Sequence, residues 1–219
     1  MPVRLGIVGA DDHCLRQSRL LAENDGVRIV AVCDSDFSRA QNAARRFNAA
    51  PFKDMRRLLE NETPDALLIG ASPAARKGAE ISGIARGCAI LLEMPLAAHR
   101  KNLTELTRAA REHRALVCPA LPLRYAKLVQ VLQKTVKTRG AAPVAISVFA
   151  WGEAASLPLL STHIVDTLRF CFGEVRSVTA CGKKYEDGVA WTLQLESGVF
   201  ATINFAPSEA GSGFQMDVQ

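Results

Sequence analysis

Residues Val3 to Asp34 read VRLGIVGADDHCLRQSRLLAENDGVRIVAVCD, two apolar runs separated by a segment of helix length. The first run, Val3 to Val8, predicts a buried strand that ends at Gly9. The second run, Val27 to Cys33, predicts a strand that ends at Asp34, and the residues between the two runs predict a helix. This order predicts two parallel strands joined by a crossover helix.

The turn after the first strand partly matches the fingerprint G-x-G-x-x-G. There the first glycine makes a tight turn, the second lets the backbone approach a pyrophosphate, and the third lets the helix pack closely on the strand. In this chain the three positions hold Gly9, Asp11 and Cys14. Cys14 is small and apolar, so close packing can survive with a modest adjustment. The layout therefore predicts a dinucleotide-binding unit with an altered glycine loop.

Two acidic residues affect dinucleotide binding in opposite directions. A carboxylate at Asp11 would repel a pyrophosphate by about 4 kcal/mol for unit charges about 4 Å apart at an effective dielectric of about 20, unless it turns away or pairs with a neighbour such as Arg16. Asp34 lies 20 residues beyond the third fingerprint position. An acidic side chain there hydrogen-bonds the ribose hydroxyls of NAD and repels the 2′-phosphate of NADP. The alternative is a plain β-α-β unit in which Asp34 caps the turn at Ser35 and Asp36.

The composition is that of an ordinary globular protein: 219 residues, 48% hydrophobic, with a net charge of +5. Basic residues are scattered, which argues against a nucleic-acid partner. The chain has no apolar run of about 18 residues and starts directly with a strand, so we expect no membrane span, no signal peptide and a cytoplasmic location. The six cysteines include no C-x-x-C pair and mostly lie in apolar runs, which predicts buried, reduced thiols. Neither His99 nor His113 has a partner at ligand spacing, so we expect no metal site.

Strands and helices alternate through the first half of the chain. Predicted helices are Phe37 to Phe47, Asp54 to Asn61, Ala74 to Gly87 and Arg100 to His113; predicted strands are a short one around Phe52, then Asp65 to Gly70, Ala89 to Leu92 and Leu116 to Cys118. The alternation predicts an α/β fold, a Rossmann-like doubly wound parallel sheet with helices on both faces.

The pattern changes from about Pro119. The predicted helices there are Tyr125 to Lys137 and Leu160 to Phe172, and the predicted strands are Pro143 to Trp151, Ser177 to Cys181, Gly188 to Glu196, Gly198 to Phe205 and Phe214 to Val218. This order predicts a smaller α+β domain with an antiparallel sheet. We therefore expect two domains, residues 1–118 and residues 119–219.

Further patterns follow one another in order along the chain. They are GIVGADDHC with Asp34, Gly70 to Pro73, LLEMPL at Leu91 to Leu96, Leu123 to Tyr125, His163-x-x-Asp166, Gly173 to Val175, and the spacing of Glu186-Asp187 and Glu196 to Gly198. Together they resemble the glucose/fructose oxidoreductase and inositol dehydrogenase (Gfo/Idh/MocA) family. The resemblance implies an NAD(P)-binding Rossmann domain and a shortened substrate or dimerisation domain. It further implies hydride transfer on a small-molecule sugar, polyol or related carbonyl substrate, and a homo-oligomer formed through the C-terminal sheet.

The resemblance also implies the site residues. The cofactor, NAD or NADP with NAD favoured, would contact Gly9, Ala10, Asp11, Asp12, His13, Asp34, Ser35, Ala71, Ser72, Pro73, Glu93 and Met94. His163 would be a general acid/base and Asp166 its orienter or a substrate contact, since i, i+3 spacing places both on one helix face. The alternative is a histidine satisfied by a local carboxylate. Arg124 would contact substrate or cofactor, or form a simple salt bridge.

Two family motifs are altered in this chain. Members commonly have Glu-Lys-Pro, whose lysine assists proton transfer beside the nicotinamide, whereas this chain has Glu93-Met94-Pro95. Methionine carries no proton, and acid/base assistance is worth about 10² to 10⁴ in rate, although the similar biliverdin reductases also lack the lysine. Thr-Pro followed by His is replaced by Ser72-Pro73 and then Arg76. We therefore expect an enzyme with altered or impaired catalysis; the alternatives are a noncatalytic binding or regulatory module and a structural subunit.

Members of this family are usually longer than this chain, which ends at Gln219 just after the last predicted strand begins. Either the natural protein is compact, with a sheet that a partner subunit completes, or the sequence is a truncated product. An unfinished sheet leaves an edge that invites pairing, which favours homodimerisation.

Overall fold

A computed structural model describes residues 1–76, 78–97, 99–139 and 145–219. The chain divides into two compact units, Met1–Ala120 and Leu121–Gln219, and each has its own hydrophobic core.

The first unit is built on a six-stranded sheet in which every described pairing is parallel. Its strands are β1 Val3–Val8, β2 Val27–Cys33, β3 Ala50–Phe52, β4 Ala66–Ile69, β5 Ala89–Leu92 and β6 Val117–Pro119; its helices are α1 Asp12–Ala22, α2 Phe37–Phe47, α3 Met55–Asn61, α4 Ala79–Ala85 and α5 Arg100–Glu112. The order β3-β2-β1-β4-β5-β6 places the topological switch point between β1 and β4. The predicted doubly wound parallel sheet is confirmed.

Both faces of this sheet are buried, because side chains alternate between two apolar layers along each strand. On β4, Leu68 packs in the layer that contains Cys14 and Leu15 of α1, and also residues of α2. Its neighbours Leu67 and Ile69 pack in the opposite layer, with residues of α3, α4 and α5. Helices therefore cover both faces of the sheet, as predicted.

The second unit contains a five-stranded sheet in the order β11-β7-β10-β9-β8 over the described residues. Its elements are α6 Lys127–Arg139, β7 Ala145–Gly152, α7 Leu157–Phe172, β8 Val175–Cys181, β9 Val189–Leu195, β10 Phe200–Pro207 and β11 Gly213–Val218, with short 3-10 turns at Pro122–Tyr125 and Tyr185–Asp187. The pairings are antiparallel, as predicted, except that β7 and β10 are parallel. After β7 the chain forms α7, β8 and β9 before it enters β10. Because β10 runs in the same direction as its neighbour β7, the two strands need such a crossover connection.

One face of the second sheet forms the core of that unit. Along β7, Ile146, Val148 and Ala150 are buried and pack in a cluster with residues of α7. The alternate residue Phe149 points to the opposite face, where it is 51% exposed, and Phe200 of β10 is 49% exposed. The unit therefore has one covered face and one accessible face.

Two predicted helices begin two or more residues later in the structure than in the prediction. The helix predicted from Ala74 to Gly87 is α4, Ala79–Ala85, because Gly78 before it has a φ of +79°, which interrupts a helix; residue 77 lies outside the described residues. The helix predicted from Tyr125 is interrupted by Ala126, which is extended, so α6 begins at Lys127. The start of the strand predicted from Pro143, residues 143 and 144, also lies outside the described residues.

The cysteines divide into two groups. Cys14, Cys33, Cys88 and Cys171 are buried, as predicted, whereas Cys118 and Cys181 are exposed and the prediction was wrong for them. Both exposed cysteines lie in edge strands. Cys118 is in β6, at one edge of the first sheet, and Cys181 is in β8, at one edge of the second sheet. Burial raises the pKa of the Cys14 and Cys33 thiols to about 12, so these two thiols are protonated and unreactive.

Candidate functional site

A cleft of about 450 Å³ opens at the carboxyl ends of β1, β2 and β4. This is the switch point of the sheet, where open α/β folds bind their ligands. Seven of the predicted cofactor residues line it: Gly9, Ala10, Asp11, Asp34, Ser35, Ala71 and Ser72. The other five, Asp12, His13, Pro73, Glu93 and Met94, are not part of its lining. The cleft also contains residues that the sequence analysis had not singled out, among them Arg39, Lys53 and Ala75.

Gly9 makes the tight turn that the first fingerprint position requires. Its φ is +96°, and a Cβ at this position would lie 2.6 Å from the backbone nitrogen of Ala71. A side chain would therefore be strained in conformation and would collide with the loop after β4. The first glycine of the fingerprint is retained for a physical reason.

Asp11 is the N-cap residue of α1. Its Oδ1 accepts a hydrogen bond of 2.8 Å from the backbone N–H of Cys14. The carboxylate thus turns onto the end of its own helix and uses one of the N–H groups that a bound anion would contact. The negative charge of Asp11 already stabilises this helix terminus. A bound pyrophosphate would have to share the terminus with the Asp11 carboxylate.

Cys14 stands at the third fingerprint position, and the residue that makes room for it is Gly70. Cys14 is fully buried. A Cβ at Gly70 would lie 2.6 Å from both Cβ and Sγ of Cys14. The helix and the sheet therefore still approach each other closely, and the residue without a side chain is the one directly after β4 instead of one on α1.

Asp34 is buried at the end of β2 and organises two loops. Its Oδ2 accepts a 2.8 Å hydrogen bond from the backbone N–H of Ala10, and its Oδ1 accepts one of 2.8 Å from the backbone N–H of Asp36. Nη2 of Arg39 lies 2.9 Å from the same Oδ1. Asp34 therefore caps the following turn, as in the alternative interpretation, and it also lines the cleft. Arg39 lies five residues after Asp34 on α2, a spacing from which sequence analysis could have found it.

The end of β5 contacts the first turn of α1. Glu93 is buried, and its Oε2 lies 3.5 Å from Nε2 of His13. The amide nitrogen of Gln17, one turn further along α1, is 3.0 Å from the same imidazole nitrogen. The structure thus brings together two of the predicted cofactor residues, next to half-buried Met94.

Arg76 holds the loop that follows Glu93. Its side chain is 1% exposed, and its Nη2 donates hydrogen bonds to the carbonyl oxygens of Pro95 at 2.9 Å and Leu96 at 2.8 Å. Its Nε lies 3.6 Å from Oε1 of Glu80. Burial lowers the pKa of the guanidinium, and Glu80 partly opposes that shift. In the sequence Arg76 was only a departure from the family motif, and its role as a link to the loop of Met94 needed the structure.

In the second unit, Arg124 and Asp166 form an ion pair. Nε of Arg124 donates a 2.8 Å hydrogen bond to Oδ2 of Asp166, and Nη2 contacts Oδ1. This bond to the carboxylate raises the pKa of Arg124. The guanidinium also lies 5.3 Å from the ring centroid of Phe170. Both oxygens of Asp166 thus contact Arg124, while His163, half-buried, lies three residues earlier on α7.

Neither a metal-binding cluster nor a membrane-spanning helix is present in the described part of the chain. No group of three or more His, Cys, Asp or Glu side chains is arranged to hold a metal ion. No helix in the described ranges is both long enough and apolar enough to cross a membrane.

The sequence matches the model of an oxidoreductase family with an NAD-binding Rossmann fold, Gfo/Idh/MocA, over residues 3–120. Because the match covers more than half of the chain, the protein belongs to this family. It is 25% identical to the D-glucoside 3-dehydrogenase of Escherichia coli, over 93% of this chain and 67% of that protein. It is 24% identical to inositol 2-dehydrogenase 4 of Saccharopolyspora erythraea, over 98% and 69%. The chain spans about two thirds of the length of these relatives.

Solved structures show the same fold. The scyllo-inositol dehydrogenase of Lactobacillus casei with bound NAD(H) and scyllo-inositol superposes with a TM-score of 0.85 at 16% identity, covering 100% of this chain and 74% of that one. The myo-inositol 2-dehydrogenase of Lactobacillus plantarum has a TM-score of 0.86 at 17% identity, with coverage of 100% and 74%. The predicted family and fold class are confirmed.

Proposed function

We propose that this protein is an NAD(P)-dependent oxidoreductase that transfers a hydride to or from a sugar, a polyol or a related carbonyl compound. The observation that carries the proposal is the cleft at the switch point, lined by the Gly9 turn, in a chain of an NAD-binding oxidoreductase family. The substrate class follows the names of the relatives, which act on a glucoside and on inositols.

The residues of the cleft fit a dinucleotide. When bound, that group supplies the hydride acceptor or donor. The Gly9 turn lets its backbone approach a phosphate, and Asp34 lies where ribose hydroxyls need an acceptor. Asp34 favours NAD, and the cation of Arg39, 2.9 Å from it, reduces that preference because it also attracts a 2′-phosphate. We expect NAD to bind more tightly than NADP, by a modest factor.

The second unit supplies the substrate-side groups of the proposal. His163 lies on the same helix as Asp166 at i, i+3 spacing, and we assign it as a general acid/base because the His163-x-x-Asp166 motif resembles that of the family. Asp166 is held in position by its ion pair with Arg124, so we assign it a positioning or substrate-contact role and no proton transfer. We further propose a homo-oligomer formed through the accessible face of the second sheet, where Phe149 and Phe200 are exposed.

A noncatalytic binding or regulatory module is the second candidate. Two observations favour it: the Asp11 carboxylate already sits on the α1 terminus, and Met94 cannot carry a proton. Both weaken the enzyme proposal at different steps, one at cofactor binding and one at proton transfer.

Titration with NADH and with NADPH, followed by nicotinamide fluorescence, tests the cofactor binding that the enzyme requires. Micromolar binding of NADH that is lost in Gly9→Val, where a side chain meets Ala71, supports the enzyme. Gly26→Ala is the matched control, because its Cβ would approach only the flexible Asn24 side chain, at 3.0 Å. No binding at millimolar concentration favours the noncatalytic module.

A further inference from the structure

His13 and Glu93 meet at the carboxyl edge of the parallel sheet. Nε2 of His13 is 3.5 Å from Oε2 of Glu93, whose side chain is 10% exposed. The other carboxylate oxygen, Oε1, is buried and has no hydrogen-bond partner among the described residues. A buried carboxylate that is poorly satisfied is costly. An imidazole N–H, or an imidazolium, is the partner within reach.

The imidazole connects this buried carboxylate to an accessible surface, because the His13 side chain is 63% exposed. If Nε2 carries the proton and donates it toward Glu93, Nδ1 is left as a proton acceptor. A carboxylate that holds one imidazole nitrogen fixes the tautomer and stabilises the imidazolium that forms when the other nitrogen takes up a proton. The amide of Gln17 can turn its oxygen toward the same Nε2 and reinforce this arrangement. A separation of 3.5 Å is long, as is common before a substrate tightens the site.

The pair of His13 and Glu93 lies on one side of the switch point of the sheet. In a doubly wound sheet, a dinucleotide crosses the switch point from one mononucleotide-binding half to the other. Asp34 lies at the end of β2, on the adenosine side. Glu93 lies at the end of β5, two strands beyond the switch point, and is therefore on the nicotinamide side. Next to it in the chain is Met94, which carries no proton.

We propose that His13, oriented by Glu93, is the proton acceptor on the nicotinamide side of the site; this inference rests on the proposed function. In alcohol oxidation, Nδ1 of His13 accepts the proton of the hydroxyl group and passes it to water. The carbon that carries this hydroxyl group would give its hydrogen, as hydride, to a bound oxidised nicotinamide. The alcohol becomes a ketone, the cofactor is reduced and one proton is released. Reduction of a carbonyl compound follows the same steps in reverse.

The pairing is tested without any cofactor. Imidazole ¹⁵N chemical shifts show which ring nitrogen carries the proton, and the four histidines are few enough to resolve. The His13 signal is the one missing in His13→Gln. We expect the proton on Nε2, and a shift of the tautomer ratio by about threefold or more in Glu93→Gln, the factor that one hydrogen bond of ordinary strength gives. Glu105→Gln is the control. A His13 signal that is the same in Glu93→Gln as in the natural protein overturns the inference.

The location is tested by adding NADH to the same sample. We expect the ring signals of His13 to move and those of His113, at the end of α5, to stay. Binding of NADH with His13 unmoved overturns this inference alone. Absence of NADH and NADPH binding overturns the proposed function and the inference with it, and the tautomer measurement then shows whether the pair itself exists.

The chemical role is tested on a polyol that the natural protein oxidises. His13→Gln is expected to lower kcat by about 100-fold, with NADH affinity kept within about tenfold, the most that one hydrogen bond of ordinary strength gives. His113→Gln is the matched control and keeps its kcat. Added imidazole should restore turnover to His13→Ala, and Met94→Lys should restore it to His13→Gln, because either one supplies a proton-carrying group. Unchanged kcat in His13→Gln, with activity lost only in His163→Gln, contradicts the proposal.

Discussion

Cys14 and Gly70 are complementary: the thiol of one occupies the space in which the other would carry a Cβ, at 2.6 Å. The close approach of helix to sheet that a third fingerprint glycine normally permits is thus achieved with the small residue on the opposite element. The altered glycine motif therefore does not imply a distorted Rossmann unit.

This relationship predicts strong coupling between the two positions. Gly70→Ala should destabilise the protein by about 1 to 3 kcal/mol, because a methyl group is forced into a filled space. Cys14→Gly should recover much of that loss in the double variant, since the two residues share one contact. Thermal unfolding followed by circular dichroism measures both effects. Additive effects of the two substitutions would show that the contact is relieved elsewhere.

The charge of Asp11 and its role as a helix cap can be separated. Asp11→Asn keeps a side-chain oxygen for the N–H of Cys14 and removes the charge, so we expect it to tighten NADH binding, with a loss of stability of only a few tenths of a kcal/mol from the lost charge at the helix terminus. Asp11→Gly should also tighten binding, at a cost of a few tenths of a kcal/mol in stability. Fluorescence titration gives the affinities. An unchanged dissociation constant in both variants would mean that the carboxylate does not face the pyrophosphate.

Arg39 is predicted to set how strongly the protein prefers NAD. Because the guanidinium is half exposed, its charge is worth at most about 1 kcal/mol, so Arg39→Gln should weaken NADPH binding by about fivefold and leave NADH nearly unchanged. Asp34→Asn should narrow the preference for NAD over NADP. It keeps a side-chain oxygen that accepts a hydrogen bond from the N–H of Ala10 or of Asp36, whereas Asp34→Ala would lose both of these bonds. Tighter binding of NADPH than of NADH by the natural protein would contradict the role of Asp34.

Arg76 is predicted to hold the loop that contains Met94. Arg76→Lys cannot reproduce the fixed geometry of the two bonds to Pro95 and Leu96. With methyl-labelled methionine, the Met94 signal should shift or broaden in this variant, while that of Met216 in the second unit should not. Arg108→Lys, an exposed position on α5, is the control. A Met94 signal identical in Arg76→Lys and the natural protein would show that the loop is held by other contacts.

Sequence patterns predicted the first unit well because its central strands β1, β2 and β4 are largely buried and are followed directly by Gly9, Asp34 and Gly70. The bounds of β2 and α2 agree residue for residue with the prediction. The predicted start of α4 was wrong because Ala74 and Ala75 favour a helix locally, whereas Gly78 has a left-handed backbone conformation that a continuous helix cannot contain.

The site was predictable only where its residues follow a strand. Gly9 and Asp34 were found because β1 and β2 end beside them. The compensation at Gly70, the contact of His13 with Glu93 and the anchoring of Leu96 by Arg76 each join segments that lie 20 or more residues apart in sequence. No local periodicity encodes such tertiary contacts.

The most direct test of the proposed hydride transfer is a screen of the natural protein with NAD⁺ against inositols, glucosides and related polyols, recorded as NADH absorbance. We predict turnover of at least one polyol, lost in Gly9→Val and retained in Gly26→Ala. Binding of NADH without turnover of any compound, both in the natural protein and in Met94→Lys, would contradict the oxidoreductase proposal and favour the noncatalytic module.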